Sequence, residues 1–312
     1  MVAEEVTFFN QGLQLAGSLY KPQDSIRYPA LIVLHAADGG TRQYPFYQHL
    51  TTYLPAQGMA VLLYDRRGSG QSTGDFETSD FEDLAGDASA AVDYLTSRND
   101  IDSGHIGIYG ISQGGWIAPI VAAERPRIAF IIIVSGCGVS PARQMDYGAS
   151  YTLREAGYPE EIVAQALTLR NQVNEYYRGN LPHAIIKTEL DQMRDEPWVQ
   201  YAYLPDGGQL PEDVTQDKWY YELDFDPLPI WRQVQQPTLF LFPTEDRWVP
   251  IEESISKFRA ATMHLQEVAI ERIEGADHLM HEISSEAAHI SDRYVEVLLS
   301  GLTKMRRIDS WH

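Results

Sequence analysis

The sequence predicts an α/β fold, a mostly parallel sheet flanked by helices with a mainly helical segment inserted late in the chain. Three observations carry this reading. Five short, nearly continuous apolar runs, residues 29–40, 59–70, 105–115, 128–138 and 237–250, each end in small or polar residues. Strands covered on both faces need such runs, and parallel sheets cover both faces. Helical patterns at 46–58, 81–98 and 116–126 lie between the runs, as the crossovers of parallel strands require. From residue 140 to 235 the alternation stops, and helices and loops rich in Tyr, Trp and acid take over.

Taken in order, "EEVTFFNQG" and "LQLAGSLYKP" alternate and turn like an antiparallel hairpin at the start of the sheet. The crossovers follow, with Pro55 and Pro119 weakening the helices that contain them. The expected division is a core of 1–139 and 236–312, with 140–235 as an inserted helical cap whose aromatic residues Tyr201, Tyr203, Trp219, Tyr220, Tyr221 and Trp231 form first of all its own core. Some of these rings could also line an acyl or alcohol pocket. After the insertion, "QEVAIERIEGADH" offers a last strand. "SEAAHISDRYVEVLLSGL" offers a closing amphipathic helix with Ile290, Tyr294, Val297 and Leu298 on one face.

Composition narrows the function. With 24 basic and 44 acidic residues the formal charge is −20, which repels phosphate backbones, and no basic stripe is present to bind nucleic acid. The one basic cluster, Lys304 to Arg307, reads as a solvated helix end. A single cysteine, Cys137, rules out an intramolecular disulfide and fits a reducing compartment; at the end of an apolar run it reads as a small buried residue. The first ten residues have acid where a signal peptide needs base, and no run approaches the roughly 18 apolar residues of a membrane span. The expectation is a cytoplasmic protein that engages neither nucleic acid nor membrane. Oligomeric state is not legible.

Ligands of open parallel sheets bind at the carboxyl ends of the strands, so residues just past each run come first. Ser112 sits in Gly110-Ile111-Ser112-Gln113-Gly114, between a strand and a helix, as a nucleophile elbow requires. Glycine at 110 and 114 keeps the sharp turn free of clashing side chains. Asp246, in "FPTEDRWVP", directly follows the apolar part of the fifth run, the last strand before the closing region, and can orient an imidazole; Glu245 beside it is the competitor. His278, in "EGADHLMHE", follows the last strand and offers the base that a serine hydroxyl needs, with His281 as the alternative. "HLMHE" is not a zinc motif, so no metal is expected. Acyl transfer also needs two N–H donors on the developing oxyanion. One is Gln113, after the nucleophile. The other comes from "LHAADGG", with Ala37 preferred and Ala36 one residue away.

"LHAADGG", "YDRRGSGQSTG", "GISQGG", "TEDRWVP" and "GADH" together give the chain a resemblance to the α/β-hydrolase superfamily over essentially its whole length. The order Ser112, Asp246, His278 is the order of that family. The "YDRRGSGQSTG" segment and the long insertion look most like bacterial carboxylesterases and the serine hydrolases labelled dipeptidyl-aminopeptidase-like. The resemblance implies an eight-stranded core, a Ser-Asp-His triad and hydrolysis of a small-molecule ester without a cofactor. One departure is Ala36, which stands where the family's loop usually has glycine after histidine, and it leaves the second oxyanion donor open between Ala36 and Ala37. Asp65, Arg66 and Arg67 read as a hydrogen-bonded turn near the site. "GSGQSTG" misses the dinucleotide-binding spacing by one residue, so no nucleotide cofactor is expected. The function this predicts is a serine carboxylesterase acting on small or medium acyl esters. Acyl-peptide hydrolase, aminopeptidase or thioesterase chemistry on the same triad is an alternative, as is a non-catalytic protein that binds a small ligand.

Overall fold

The computed structural model describes residues 2–22, 27–284 and 288–308. An eight-stranded sheet runs through it in the order β1-β2-β4-β3-β5-β6-β7-β8. Its first two strands, β1 (Val2–Asn10) and β2 (Leu13–Lys21), form the expected hairpin, paired antiparallel from Val2↔Lys21 to Asn10↔Leu13. The turn between them places Gln11 and Gly12 at φ 47° and 89°, and glycine carries the second at no steric cost. β2 also runs antiparallel to β4 (Ala60–Tyr64). The remaining pairs are all parallel: β4 with β3 (Tyr28–Leu34), then β5 (Ile101–Ile111), β6 (Ile128–Val134), β7 (Thr238–Pro243) and β8 (Val268–Ile273). Their carboxyl ends therefore share one edge of the sheet.

The apolar runs are buried because helices cover both faces. Ala30, Ile32 and Leu34 pack with α2 (Phe81–Thr96), α3 (Gly114–Glu124) and α9 (Ile251–Ala261). Leu31 and Val33 face α1 (Gln48–Ala56) and α10 (Asp292–Ile308) on the other side. Asp80 and Asp83 cap the start of α2 reciprocally. Pro55 stands in the last turn of α1, which ends at the next residue, Ala56, whereas α3 runs on past Pro119 to Glu124, since burial of its apolar residues outweighs one lost backbone bond. On α10, Tyr294, Val297 and Leu298 are buried as expected, while Ile290 lies before the helix in an isolated bridge with His281. The side chains of Arg306 and Arg307 lie outside the described residues.

Between β6 and β7 the chain forms α4 (Pro141–Glu155), α5 (Glu160–Tyr177), α6 (His183–Met193), α7 (Lys218–Glu222) and α8 (Leu228–Trp231). Helices α4 to α7 build a separate apolar cluster that runs from Ala142 to Leu223. Tyr201 and Trp219 pack against that cluster, whereas Tyr220 and Tyr221 are exposed and Tyr203 meets Trp248 edge-on. Trp231 departs from the expectation: it is fully buried in the sheet core, against Phe240 and Phe258. Its ring fills the space beneath α8, where the chain returns to β7. No helix among the described residues is long and apolar enough to cross a membrane.

Candidate active site

Ser112 occupies the turn between β5 and α3 with φ 51°, a left-handed conformation that L residues adopt only when the surroundings enforce it. The surroundings here are two backbone bonds: Ser112 N–H donates to Val134 O at 2.9 Å, and Gly115 N–H donates to Ser112 O at 2.8 Å. The glycines have a steric reason. A Cβ on Gly110 would collide with the Gly114 carbonyl, and one on Gly114 would stand 2.6 Å from the Leu34 carbonyl oxygen. The turn thus sits on top of β3 and β5, with the first N–H groups of α3 directly behind the serine.

Asp246 and His278 come together from the loops after β7 and β8. His278 Nδ1 donates to Asp246 Oδ2 at 2.8 Å. The other carboxylate oxygen, Oδ1, accepts from Trp248 N–H at 2.7 Å and Val249 N–H at 3.0 Å. Three donors on a carboxylate that is 2% exposed fix its orientation and offset its desolvation. Because Nδ1 carries the proton, Nε2 of the ring is left as the proton acceptor. The backbone that carries the ring is anchored as well, since Ser135 Oγ donates to the His278 main-chain carbonyl at 2.7 Å. Neither competitor joins this arrangement: Glu245 is tied through its backbone to Ala276 O, and His281 faces Asp277 at 3.5 Å.

The loop after β3 distinguishes its two alanines. Ala36 N–H donates to Tyr47 Oη at 3.1 Å, and that hydroxyl donates to Gly39 O at 2.9 Å. Tyr47 is fully buried, so Ala36 has its N–H committed inside the protein, whereas Ala37 is exposed. The turn after β4 is as densely bonded as its sequence suggests. Asp65 accepts from the N–H groups of Arg42 and Gln71, both at 2.9 Å, and Arg67 binds Asp87 through Nε and Nη2 at 2.7 and 2.9 Å. Gly70, at φ 54°, is required because a Cβ there would overlap the Asp65 carboxylate. Cys137 is 2% exposed, and burial pushes its thiol well above the usual range. Among the described residues, no three His, Cys, Asp or Glu side chains gather in a metal-site geometry.

Sequence reasoning missed Tyr47, Ser135 and Glu222. Each acts through a contact with a residue distant in the chain, for which a single sequence carries no signal. Glu222, on α7, pairs with Lys218 at 2.7 Å and accepts from Gln113 Nε2 at 3.5 Å. Tyr147 on α4 reaches the Asp246 carbonyl at 3.5 Å, so two helices of the segment between β6 and β7 contact Gln113 and Asp246.

An eight-stranded sheet with this strand order, a serine elbow after β5 and a histidine-carboxylate pair after β7 and β8 defines a class of hydrolase folds. The chain belongs to the alpha/beta hydrolase family, whose sequence model matches residues 31–289. Among curated relatives, the quorum-quenching protein AidA of Acinetobacter baumannii is 30% identical over 132 residues, 41% of this chain and 42% of that protein. The chain spans about two fifths of the length of the first curated relatives it matches. Among solved structures, the alpha/beta hydrolase GrgF from Penicillium sp. sh18 has a TM-score of 0.64 at 19% identity, covering 98% of this chain and 99% of that one. The Pyrococcus furiosus esterase Pf2001 has a TM-score of 0.61 at 16% identity, covering 97% and 90%. At these identities the structural likeness concerns the fold.

Proposed function

We propose that the protein is a serine carboxylesterase acting on small or medium acyl esters, with Ser112, Asp246 and His278 as its catalytic residues and the 140–235 insertion as a cap over them. The observation that carries this reading is the Asp246–His278 hydrogen bond at 2.8 Å, which leaves Nε2 as a base on the strand edge that presents Ser112. In the proposed reaction His278 Nε2 accepts the Ser112 Oγ proton as that oxygen attacks the ester carbonyl. The oxyanion is held by the N–H groups of Gln113 and Ala37. Ala37 is preferred to Ala36 because Tyr47 already occupies the Ala36 N–H. The imidazolium gives its proton to the leaving alcohol. Water, deprotonated by the same nitrogen, then cleaves the acyl-enzyme to release the acid and restore Ser112.

Incubation with a fluorophosphonate probe, followed by peptide mass spectrometry, tests the nucleophile. Labelling on Ser112 that disappears in Ser112→Ala is expected, and an unlabelled folded protein would overturn the reading. Side-by-side turnover of p-nitrophenyl esters, acyl-CoA and aminoacyl anilides tests the substrate class, with the esters expected to react fastest.

A further inference from the structure

Arg66 is 8% exposed and lies directly beneath the proposed oxyanion donors. Its Nη1 donates to three acceptors: Ala36 O at 3.3 Å, Ala37 O at 2.9 Å and Gln113 Oε1 at 3.3 Å. The guanidinium carbon stands 3.3 Å from the centre of the Phe76 ring. Among the described residues Arg66 forms no direct ion pair: its hydrogen bonds go to neutral acceptors, and the Glu222 and Glu77 carboxylates act on its charge from further off. Such a charge is costly to bury, and carboxylates that do not touch it offset only part of that cost.

The Ala36 carbonyl and the Ala37 N–H are two ends of one peptide group. A cation bonded to the carbonyl oxygen draws electron density away from the nitrogen and makes its N–H a stronger donor, the cooperative effect of chained hydrogen bonds at low dielectric. The same Nη1 holds the side chain of Gln113, whose backbone N–H is the other donor. From Gln113 the chain of contacts continues to Glu222, on to Lys218, and from Lys218 Nζ to Ser79 O at 2.6 Å.

We infer that Arg66 is a positioning residue of the oxyanion site: its guanidinium polarises the Ala36–Ala37 peptide and locks both donor residues into one unit, which Glu222 fastens to the insertion. This rests on the acyl-transfer reading above. Arg66 touches neither ester nor reacting atoms; it acts on the amides that do.

The test compares Arg66→Met, Arg66→Lys and the unaltered protein in kcat and KM on p-nitrophenyl butyrate. It adds the inhibition constant of a trifluoromethyl ketone that forms a tetrahedral adduct with serine, with circular dichroism to verify folding. Arg66→Met is expected to lower kcat about 10- to 100-fold, less than deletion of a donor outright, with KM within about threefold. The ketone should weaken by the same factor, and Arg66→Lys should recover part of both. A folded Arg66→Met with kcat within about twofold of the parent, or a ketone affinity that does not follow kcat, overturns the inference. Should Arg66→Met fail to fold, Arg66→Lys decides alone by whether kcat and ketone affinity fall together. If the unaltered protein is not labelled at Ser112 and turns over no ester, the acyl-transfer reading and this inference fall together. A labelled, active parent with indifferent Arg66 variants removes the positioning role only.

Discussion

His278 donates its Nδ1 proton to Asp246 Oδ2 at 2.8 Å, and Asp246 is in turn fixed by the Trp248 and Val249 amides. The carboxylate therefore selects the tautomer that leaves Nε2 free to accept a proton. Replacing Asp246 with Asn keeps the shape and can reverse the tautomer. The expected outcome is a loss in kcat of about 10³- to 10⁴-fold with KM little changed. Steady-state kinetics on a p-nitrophenyl ester, with circular dichroism as the folding control, check it.

The bond between Tyr47 and Ala36 leads to a second expectation. In Tyr47→Phe the buried Ala36 N–H loses its acceptor and the Gly39 carbonyl its donor. A buried donor without a partner costs about 1–3 kcal/mol, so stability should fall by that amount in urea unfolding. Activity should fall with it, because the loop that presents the Ala37 N–H is no longer anchored. Unchanged kcat in a destabilised variant would remove that loop from the oxyanion site.

Gly110 and Gly114 have no space for a methyl group. Overpacking of this kind costs typically about 1–3 kcal/mol, and here the obstacle is backbone, which cannot rotate away. Gly110→Ala is expected to unfold at lower temperature and to lose fluorophosphonate labelling. A thermal melt and a labelling gel read both. Full labelling in that variant would show that the elbow does not depend on its glycines.

The buried Glu222 carboxyl is pushed up to about 7, first by burial, with Lys218 and Arg66 opposing. The folded protein thus holds this proton more tightly than the unfolded chain, where the group titrates near its ordinary 4.5. Its contribution to stability is fully present below about 4.5 and is lost as pH rises through about 7. Glu222→Gln removes that dependence. The stability difference between variant and parent should move in favour of the variant by on the order of 1–3 kcal/mol between pH 4.5 and pH 8, at about 1.4 kcal/mol per tenfold change in proton affinity. Urea unfolding at the two pH values measures it, and a flat difference would refute the raised affinity.

Much of the architecture was legible because it rests on local pattern. The unbroken apolar runs at β3, β4, β6 and β7 are buried along nearly their whole length, as strands covered on both faces must be. The helix around Pro119 was harder to read, since only packing could outweigh the proline signal, while Pro55 does fall at the end of its helix. Trp231 was assigned to the insertion by its place in the chain, yet it packs with Phe240 and Phe258. Linear order does not report which core a large ring will reach.

Local chemistry marked Ser112, Asp246 and His278, because a strand ending in a glycine-flanked serine, and loops offering a carboxylate and an imidazole, are written in adjacent letters. What surrounds these residues was decided by folding alone. Ala37 became separable from Ala36 only when Tyr47, eleven residues away, took the Ala36 N–H. His278 met Ser135 across 143 positions, and Gln113 met Glu222 across 109. Hydrogen bonds of that span depend on strand order and loop path, which short-range periodicity does not encode.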